Sequence, residues 1–253
     1  MSGRRAVLLV ATPVALVVGL RDAAAIRPFD GTDASVADAG TVEFEMGPVD
    51  WIGVGGGEDA LAPLAVVSIG VARDWELSAY AQPSWLLSES SGSRFALLDA
   101  ALQAKRMLRE GSLQGLPGPS LAVEVAALLP ATELRNDFGA RITPVVSQSW
   151  RGFTSHVSTS LFWTRLHEPA ATGSLILEAP EIAARIHPAI EATTGWQSGL
   201  GRSWSALAAL IWNPRDDLEF DLGFRLGRAL DLTGREIRAG FTWSFRAWDP
   251  LAD

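Results

Sequence analysis

The chain has 253 residues, a formal net charge of −8, 24 glycines, 10 tryptophans, 3 histidines and no cysteine. The lack of cysteine excludes a disulfide framework, a thiol nucleophile and cysteine-ligated zinc or iron–sulfur sites. The acidic balance is unsuited to sequence-independent nucleic-acid binding, which depends on a basic patch, so we expect no nucleic-acid partner.

Residues 1–25 contain the three parts of a secretory signal peptide. Arg4 and Arg5 form a positive region, residues 6–20 are apolar, and Ala23 and Ala25 supply the small side chains of a cleavage site. The alternative is a transmembrane anchor, but the apolar run is shorter than the about 20 residues that cross a bilayer as a helix. We therefore predict cleavage after Ala25 and export of the protein.

From residue 41 onward, apolar and polar residues alternate in many segments. In the last of them, Ile237, Phe241 and Phe245 share one parity, whereas Glu236 and Arg238 share the other. Successive side chains of a strand point to opposite faces, so each segment predicts a strand with one apolar and one polar face. The predicted strands cover 41–50, 63–72, 75–86, 94–107, 119–129, 138–149, 152–165, 174–185, 189–197, 203–212, 218–228 and 236–246.

A soluble β-sandwich also alternates, but three features favour a membrane-spanning barrel. The segments exceed the about 5–6 residues of a typical globular strand. Their polar faces carry the charges, and tryptophan recurs near their ends, where aromatic girdles lie at the two membrane interfaces. Strands in lipid must pair all their backbone groups and therefore close into a barrel. The predicted girdle residues are Trp75, Trp85, Trp163, Trp196, Trp204, Trp212 and Trp243.

The predicted fold is all-β, a single antiparallel transmembrane β-barrel of about 12 strands, within a range of 10–14, over residues 26–253. An even count keeps both barrel ends in the periplasm. We place the turn between the eighth and ninth strands at His187–Pro188, because proline cannot donate to a strand ladder. Residues 26–38 lack a strand pattern, which leaves open a plug inside the lumen or an ordered periplasmic tail.

Short motifs along the chain resemble those of a known group. They are Arg27-Pro28-Phe29 and Thr32-Asp33-Ala34 before the first strand, Trp75-Glu76-Leu77 after a tight turn, and the closing strand Gly240–Phe245. Together they resemble the "MetA-pathway of phenol degradation" outer-membrane family. The resemblance implies a transporter-like barrel whose solutes include aromatic or apolar molecules.

The polar strand faces predict the residues that line the lumen. Acids outnumber bases among them, which indicates a mildly cation-favouring passage. The alternative is a sealed lumen filled by ion pairs, because buried charges persist only when they are paired or hydrated. The lumen-lining candidates are Glu43, Glu45, Glu76, Asp99, Lys105, Glu124, Arg141, His156, Arg185, Glu191, Glu219, Asp221, Arg225, Glu236 and Arg238.

We predict no catalytic site, no metal site and no cofactor. A lipid-hydrolysing barrel needs a Ser–His pair on its lipid-facing surface, whereas His156 with Ser158 or Ser160 points by parity into the lumen. The glycine-rich segment 53–57 lacks the following helix that a phosphate-binding loop requires.

The sequence therefore predicts a bacterial outer-membrane protein rather than an enzyme. Its expected partners are the lipid bilayer and a small solute. The predicted function is passive or facilitated passage of small, aromatic or apolar solutes across the outer membrane of a Gram-negative bacterium. The alternative is a closed structural barrel that organises the envelope without transport.

Overall fold

The computed structural model describes residues 27–54, 59–87, 94–130 and 137–249. The predicted signal peptide and its cleavage site lie outside these ranges, as does most of the glycine-rich segment 53–57. Within the described residues, no helix has the length and apolar character needed to span a membrane.

The described chain is almost entirely β-strand. The strands are β1 (Thr41–Val54), β2 (Asp59–Leu61), β3 (Leu64–Ala72), β4 (Trp75–Leu87), β5 (Arg94–Arg109), β6 (Ser120–Leu128), β7 (Gly139–Trp150), β8 (Phe153–Trp163), β9 (Pro169–Glu178), β10 (Ile186–Gln197), β11 (Gly201–Arg215), β12 (Leu218–Ala229) and β13 (Leu232–Arg246). One short 3₁₀ helix, Ser112–Gln114, lies between β5 and β6.

These strands close into an antiparallel barrel. Each long strand pairs with its neighbours in sequence, and β13 returns to pair with β1 from Thr41↔Arg246 to Val54↔Gly234. The short β2 and the longer β3 both pair with β1 on one side and β4 on the other, so together they form one interrupted strand. The barrel therefore has twelve strands, which confirms the predicted fold.

The turn between β9 and β10 differs from the prediction. β9 ends at Glu178, and Ala184 and Arg185 adopt positive φ angles of 50° and 64°, which form a turn rather than a strand. His187 and Pro188 lie inside β10, where Pro188 pairs with Leu210 and its carbonyl accepts a hydrogen bond from the Ala179 N–H. The predicted turn at His187–Pro188 is therefore wrong, and so is the part of the predicted strand 174–185 that extends beyond Glu178.

The two ends of the barrel differ. One end, which we call the turn end, carries the short connections 73–74, 151–152 and 216–217 and the start of β1; the opposite end is the loop end. Trp75, Trp212 and Trp243 lie on the outer face near the turn end. The other predicted girdle residues lie on the outer face near the loop end, namely Trp85, Trp163, Trp196 and Trp204.

The outer face between these two levels is apolar. Leu77, Leu102, Val157, Leu210 and Leu222 are all exposed on it. A continuous apolar surface of this extent is unfavourable in water, and it matches the lipid-facing band of an outer-membrane barrel.

Residues 27–40, which we call the inserted segment, precede β1 and lie inside the barrel. Arg27, Phe29, Thr32 and Ala34 are each at most 4% exposed. The segment contacts β12 and β10 at its start and β7 and β4 towards its end. It therefore reaches across the interior before the chain turns into β1.

Candidate functional site

A cluster of charges holds the inserted segment at the middle of the barrel. Asp30 accepts hydrogen bonds from Arg238 Nη2 at 2.7 Å and forms an ion pair with Arg225. Arg225 also contacts Glu191 at 2.9 Å, and Glu236 pairs with Arg238. Strand alternation places these side chains on the inner face, and Arg225 and Glu236 are direct cross-strand neighbours. In this cluster, each of the three carboxylates therefore contacts at least one of the two guanidinium groups.

Glu191 also binds the backbone of the inserted segment. Its carboxylate accepts the N–H groups of Asp30 at 3.0 Å and Gly31 at 2.6 Å. A Cβ on Gly31 would lie 2.8 Å from Ser174 Cβ, so the segment packs closely against the barrel wall. A larger side chain at this position would force the two apart.

Arg27 anchors the beginning of the segment. Its guanidinium donates to Asp221 at 2.9 Å, and both side chains are buried. Two glycines make room for it, because a Cβ on Gly47 or Gly240 would approach the guanidinium to 2.0 or 2.4 Å. The position of the Arg27 side chain therefore depends on glycine at Gly47 in β1 and at Gly240 in β13.

Lys105 holds the middle of the segment from β5. Its Nζ donates to Asp33 at 2.9 Å and to Thr32 Oγ1 at 3.1 Å. Burial by itself raises the pKa of the Asp33 carboxyl, but the nearby charges of Lys105 and His156 outweigh it and hold the pKa below the ordinary value of 3.8. Asp33 is therefore ionised at neutral pH and keeps its ion pair with Lys105.

His156 belongs to the same set of contacts rather than to a catalytic pair. Its Nδ1 lies 2.8 Å from Ser147 Oγ, and its Nε2 lies 3.2 Å from Glu178. Ser147 is fully buried, and its hydroxyl accepts the Ala34 N–H at 2.9 Å. A hydroxyl that is covered in this way cannot reach a lipid ester, so this group positions the inserted segment.

A second charged group lies in the wall near β5, β6 and β7. Arg141 Nη2 donates to Glu124 at 2.6 Å, and it also contacts Gln103. Both charged side chains are completely buried. Asp99 pairs with Arg165, which also donates to the Leu129 carbonyl. Arg165 is absent from the predicted lumen set because the predicted strand 152–165 gives it the outward parity of Val157 and Trp163, whereas in the structure β8 ends at Trp163.

Replacing Arg141 by Met is expected to destabilise the barrel by about 3–5 kcal/mol, because Glu124 loses the buried guanidinium that it contacts. The double variant Glu124→Gln/Arg141→Met should recover much of this loss, since no buried charge is then left unbalanced. The free energy of unfolding of both variants is measured by urea unfolding in detergent, in which heat-dependent gel migration distinguishes folded from unfolded protein. Equal losses in the single and double variants would contradict this account.

Arg185 does not lie in the interior. It occupies the exposed turn between β9 and β10, where its Nη1 donates to Asp216 at 2.8 Å. The lumen-lining prediction for Arg185 is therefore wrong, because it rested on a strand that in the structure ends at Glu178.

Four glutamates are among the residues that line a cavity of about 260 Å³ near the turn end. We call this cavity, lined by Glu43, Glu45, Glu76 and Glu219, the acidic vestibule. Glu43 accepts from Ser244 Oγ at 3.3 Å, and Glu219 accepts from Asn213 at 3.0 Å. Glu76 accepts the Ala37 N–H and the Ser78 hydroxyl.

None of the ion pairs of the described residues involves the four glutamates that define the vestibule. The two cationic side chains that also line the cavity, Arg27 and Lys105, pair instead with Asp221 and Asp33. The vestibule therefore carries an excess of negative charge.

A smaller cavity, of about 60 Å³, lies towards the loop end. It is bordered by Asp30 and Arg225 and by hydroxyl-bearing residues such as Thr172, Thr193 and Ser205. The inserted segment borders both cavities, since Arg27 and Asp33 line the vestibule.

On the other side of the interior, an apolar cluster fills the space. It consists of Val66, Tyr80, Ala101, Ala126, Leu128, Phe162 and Ala170. Two polar cavities of the described interior thus lie against the inserted segment, one towards each end of the barrel.

The sequence matches no known family and no curated protein. Solved structures do match. An outer membrane channel from Pseudomonas putida F1 is 9% identical over 86% of this chain and 100% of that chain, with a TM-score of 0.60. The NanC porin is 9% identical over 79% of this chain and 98% of that chain, with a TM-score of 0.59. The chain has the fold of outer-membrane channels.

A solved structure of a protein that is not named as a channel also matches this fold. The translocator domain of the autotransporter NalP from Neisseria meningitidis is 10% identical over 83% of this chain and 90% of that chain, with a TM-score of 0.53. At such identities the likeness concerns the fold alone, and function has to be argued from the interior of the barrel.

Proposed function

We propose that this protein lies in the bacterial outer membrane and lets small solutes pass through its lumen. The observation that carries the proposal is the division of a polar interior into two cavities, both bordered by the inserted segment. A passage between the vestibule and the loop end would require this segment to shift. The proposed plug is the inserted segment, and the predicted lumen residues that contact it are Glu76, Lys105, Glu191, Asp221, Arg225 and Arg238.

A closed structural barrel is the second candidate. The ion-paired cluster around Asp30, Arg225 and Arg238 favours it, because paired charges can fill a sealed interior. The acidic vestibule favours a passage instead, since its acids have no ion-pair partner there and need water or mobile cations.

Conductance of the purified, folded protein in a planar lipid bilayer tests the proposal. Discrete, reproducible current steps would support an open passage. No current from protein that shows the heat-dependent gel shift of a folded barrel would contradict the passage and leave the structural barrel.

The predictions about the solute class and about the signal peptide belong to the same proposal. Membership of the phenol-degradation family implies aromatic or apolar solutes, and block of the current by an aromatic acid would support it. Export with cleavage after Ala25 would be checked from the N-terminal residue of the mature protein.

A further inference from the structure

Hydroxyl-bearing side chains form two adjacent rows on the inner face of the barrel. In the first row, direct cross-strand neighbours run from β8 to β12, namely Ser158, Ser174, Thr193, Ser205 and Gly227. The second row runs beside it through Ser160, Thr172, Gly195 and Ser203. We call the hydroxyl-bearing members of both rows the hydroxyl wall.

The wall is free of charge and of large apolar groups. Alternation turns its members inward, whereas the outward neighbours Val157, Leu175 and Trp204 are exposed on the lipid-facing side. The nearest charges at its inner edge are Glu191 and Arg225, which pair with each other. Arg228 and Arg235 also border the adjoining cavity, but both are exposed, and Arg228 pairs with Asp231 while Arg235 stacks on Trp51. Among the described residues, the inward-facing charges beside the wall are thus already paired.

Two hydroxyls of the wall lack a hydrogen-bond partner. Ser158 is 3% exposed, and its Oγ makes no hydrogen bond; Thr172 Oγ1 is also buried without a partner. Other members do form hydrogen bonds. Ser160 bonds to its neighbour Thr143 on β7 at 2.8 Å, and Thr193 bonds to Ser205. A hydroxyl offers one donor and two acceptor sites, so the wall keeps unused capacity. A buried polar group of this kind calls for a partner from water or a ligand.

The smaller cavity opens onto this wall. Thr172, Ser174, Thr193, Ser203 and Ser205 line it, with Asp30 at its inner end. Neighbouring strands lie about 4.8 Å apart, so the hydroxyls of one row offer hydrogen bonds at regular steps around the barrel. A solute with several hydroxyl groups could keep at least one such bond while it moves from strand to strand.

We infer that the hydroxyl wall binds small, neutral, polyhydroxylated solutes of the polyol class and guides them through the lumen. This inference rests on the proposed passage. An aromatic solute would find no apolar surface along the wall, and an anion would find Arg225 and Arg238 already paired.

Swelling of liposomes that contain the purified protein tests the inference. The probes are erythritol, a neutral polyol, and glycine betaine, a solute of similar size without hydroxyl groups. We expect erythritol to enter several-fold faster than glycine betaine. The variant Thr172→Val/Thr193→Val removes two hydroxyls with little change of shape and should lower this rate ratio several-fold. Thr159→Val, the outward-facing neighbour of Ser158 and Ser160 on β8, is the control and should leave the ratio unchanged.

The outcomes separate the inference from the proposed function. Equal entry of both solutes, or a double variant that behaves like Thr159→Val, would overturn the polyol inference while the passage stands. Neither swelling nor current from the folded barrel would contradict the passage and the inference with it. Should the double variant fail to fold, Ser158→Ala provides the same comparison at the unpartnered hydroxyl, and an unchanged ratio there would count against the wall.

Discussion

Deleting residues 27–37 is expected to raise the single-channel conductance by about an order of magnitude, because the barrel would then enclose a continuous water-filled lumen. The deletion removes Arg27, Asp30 and Asp33, which hold the segment to β12, β13 and β5. It keeps Asp38–Gly40, whose backbone hydrogen bonds with Thr41 and Gly70 fix the start of β1.

The deletion should leave the barrel folded. Arg225 and Arg238 keep Glu191 and Glu236 as ion-pair partners, and the charges that lose a partner, Asp221 and Lys105, face a hydrated lumen. Charges in contact with water do not carry the penalty of buried unpaired charges. Heat-dependent gel migration checks folding before the conductance is compared with that of the full-length protein.

A cross-link provides the matched control for movement of the segment. The chain contains no cysteine, so Gly31→Cys/Ser174→Cys would introduce the only thiols. A Cβ on Gly31 would lie 2.8 Å from Ser174 Cβ, and a shift of about 1 Å gives the separation of a disulfide. We expect low conductance when the pair is oxidised and recovery on reduction. A deletion variant that conducts like the full-length protein would show that the segment does not obstruct the lumen.

The regular parts of the barrel could be predicted from alternation alone. In β12, Leu218 to Ala229, every second residue from Asp221 is buried and the residues between them are exposed, as the sequence pattern indicates. The pattern is reliable here because one face meets lipid and the other meets a polar lumen, so the two environments differ at every position.

In β1, a bulge makes the alternation of the sequence a wrong guide to which side chains face inward. The pairing of β1 with β13 shifts between Met46 and Val49, so the inward parity changes after Gly47–Pro48. Glu43 and Glu45 line the vestibule, but Asp50, of opposite parity, is also buried in the interior. The Gly-Pro pair is the only sequence signal of this change, since both residues favour interruptions of a strand.

The contacts of the inserted segment could not be predicted in detail. Arg27 and Asp221 are 194 residues apart, and their pairing depends on how β12 and β13 are placed in the closed barrel. Sequence patterns report which residues are polar, but they do not report which of them meet across a lumen. The same applies to the hydroxyl partner of His156. The sequence suggested Ser158 or Ser160, which share its strand face, whereas the structure places Ser147 next to it.

Neutralising the acidic vestibule is expected to lower the ratio of cation to anion permeability several-fold. The variant Glu43→Gln/Glu45→Gln/Glu219→Gln removes three carboxyl groups that have no ion-pair partner among the described residues and that face the cavity of about 260 Å³. A narrow opening lined by charges of one sign concentrates ions of the opposite sign, and rings of carboxylates select cations in this way.

Reversal potentials across a potassium chloride gradient measure this ratio. The salt on the dilute side should stay well below 0.1 M, because at that concentration the Debye length is already only about 10 Å and surface charges are screened. The matched control, Glu110→Gln/Glu181→Gln/Asp231→Asn, removes the same number of acids from connections outside the lumen, and it should leave the ratio close to that of the unaltered protein.

The same variant should also make the barrel more resistant to unfolding. Glu43, Glu45 and Glu219 are partly buried carboxyl groups that form no ion pair among the described residues, so amides at these positions remove the cost of burying a carboxylate while keeping the shape. A closed structural barrel has no use for a costly group of carboxylates, whereas a cation-favouring passage depends on it. If the vestibule variant and the control variant gave the same reversal potential, the vestibule would not set the selectivity of the passage.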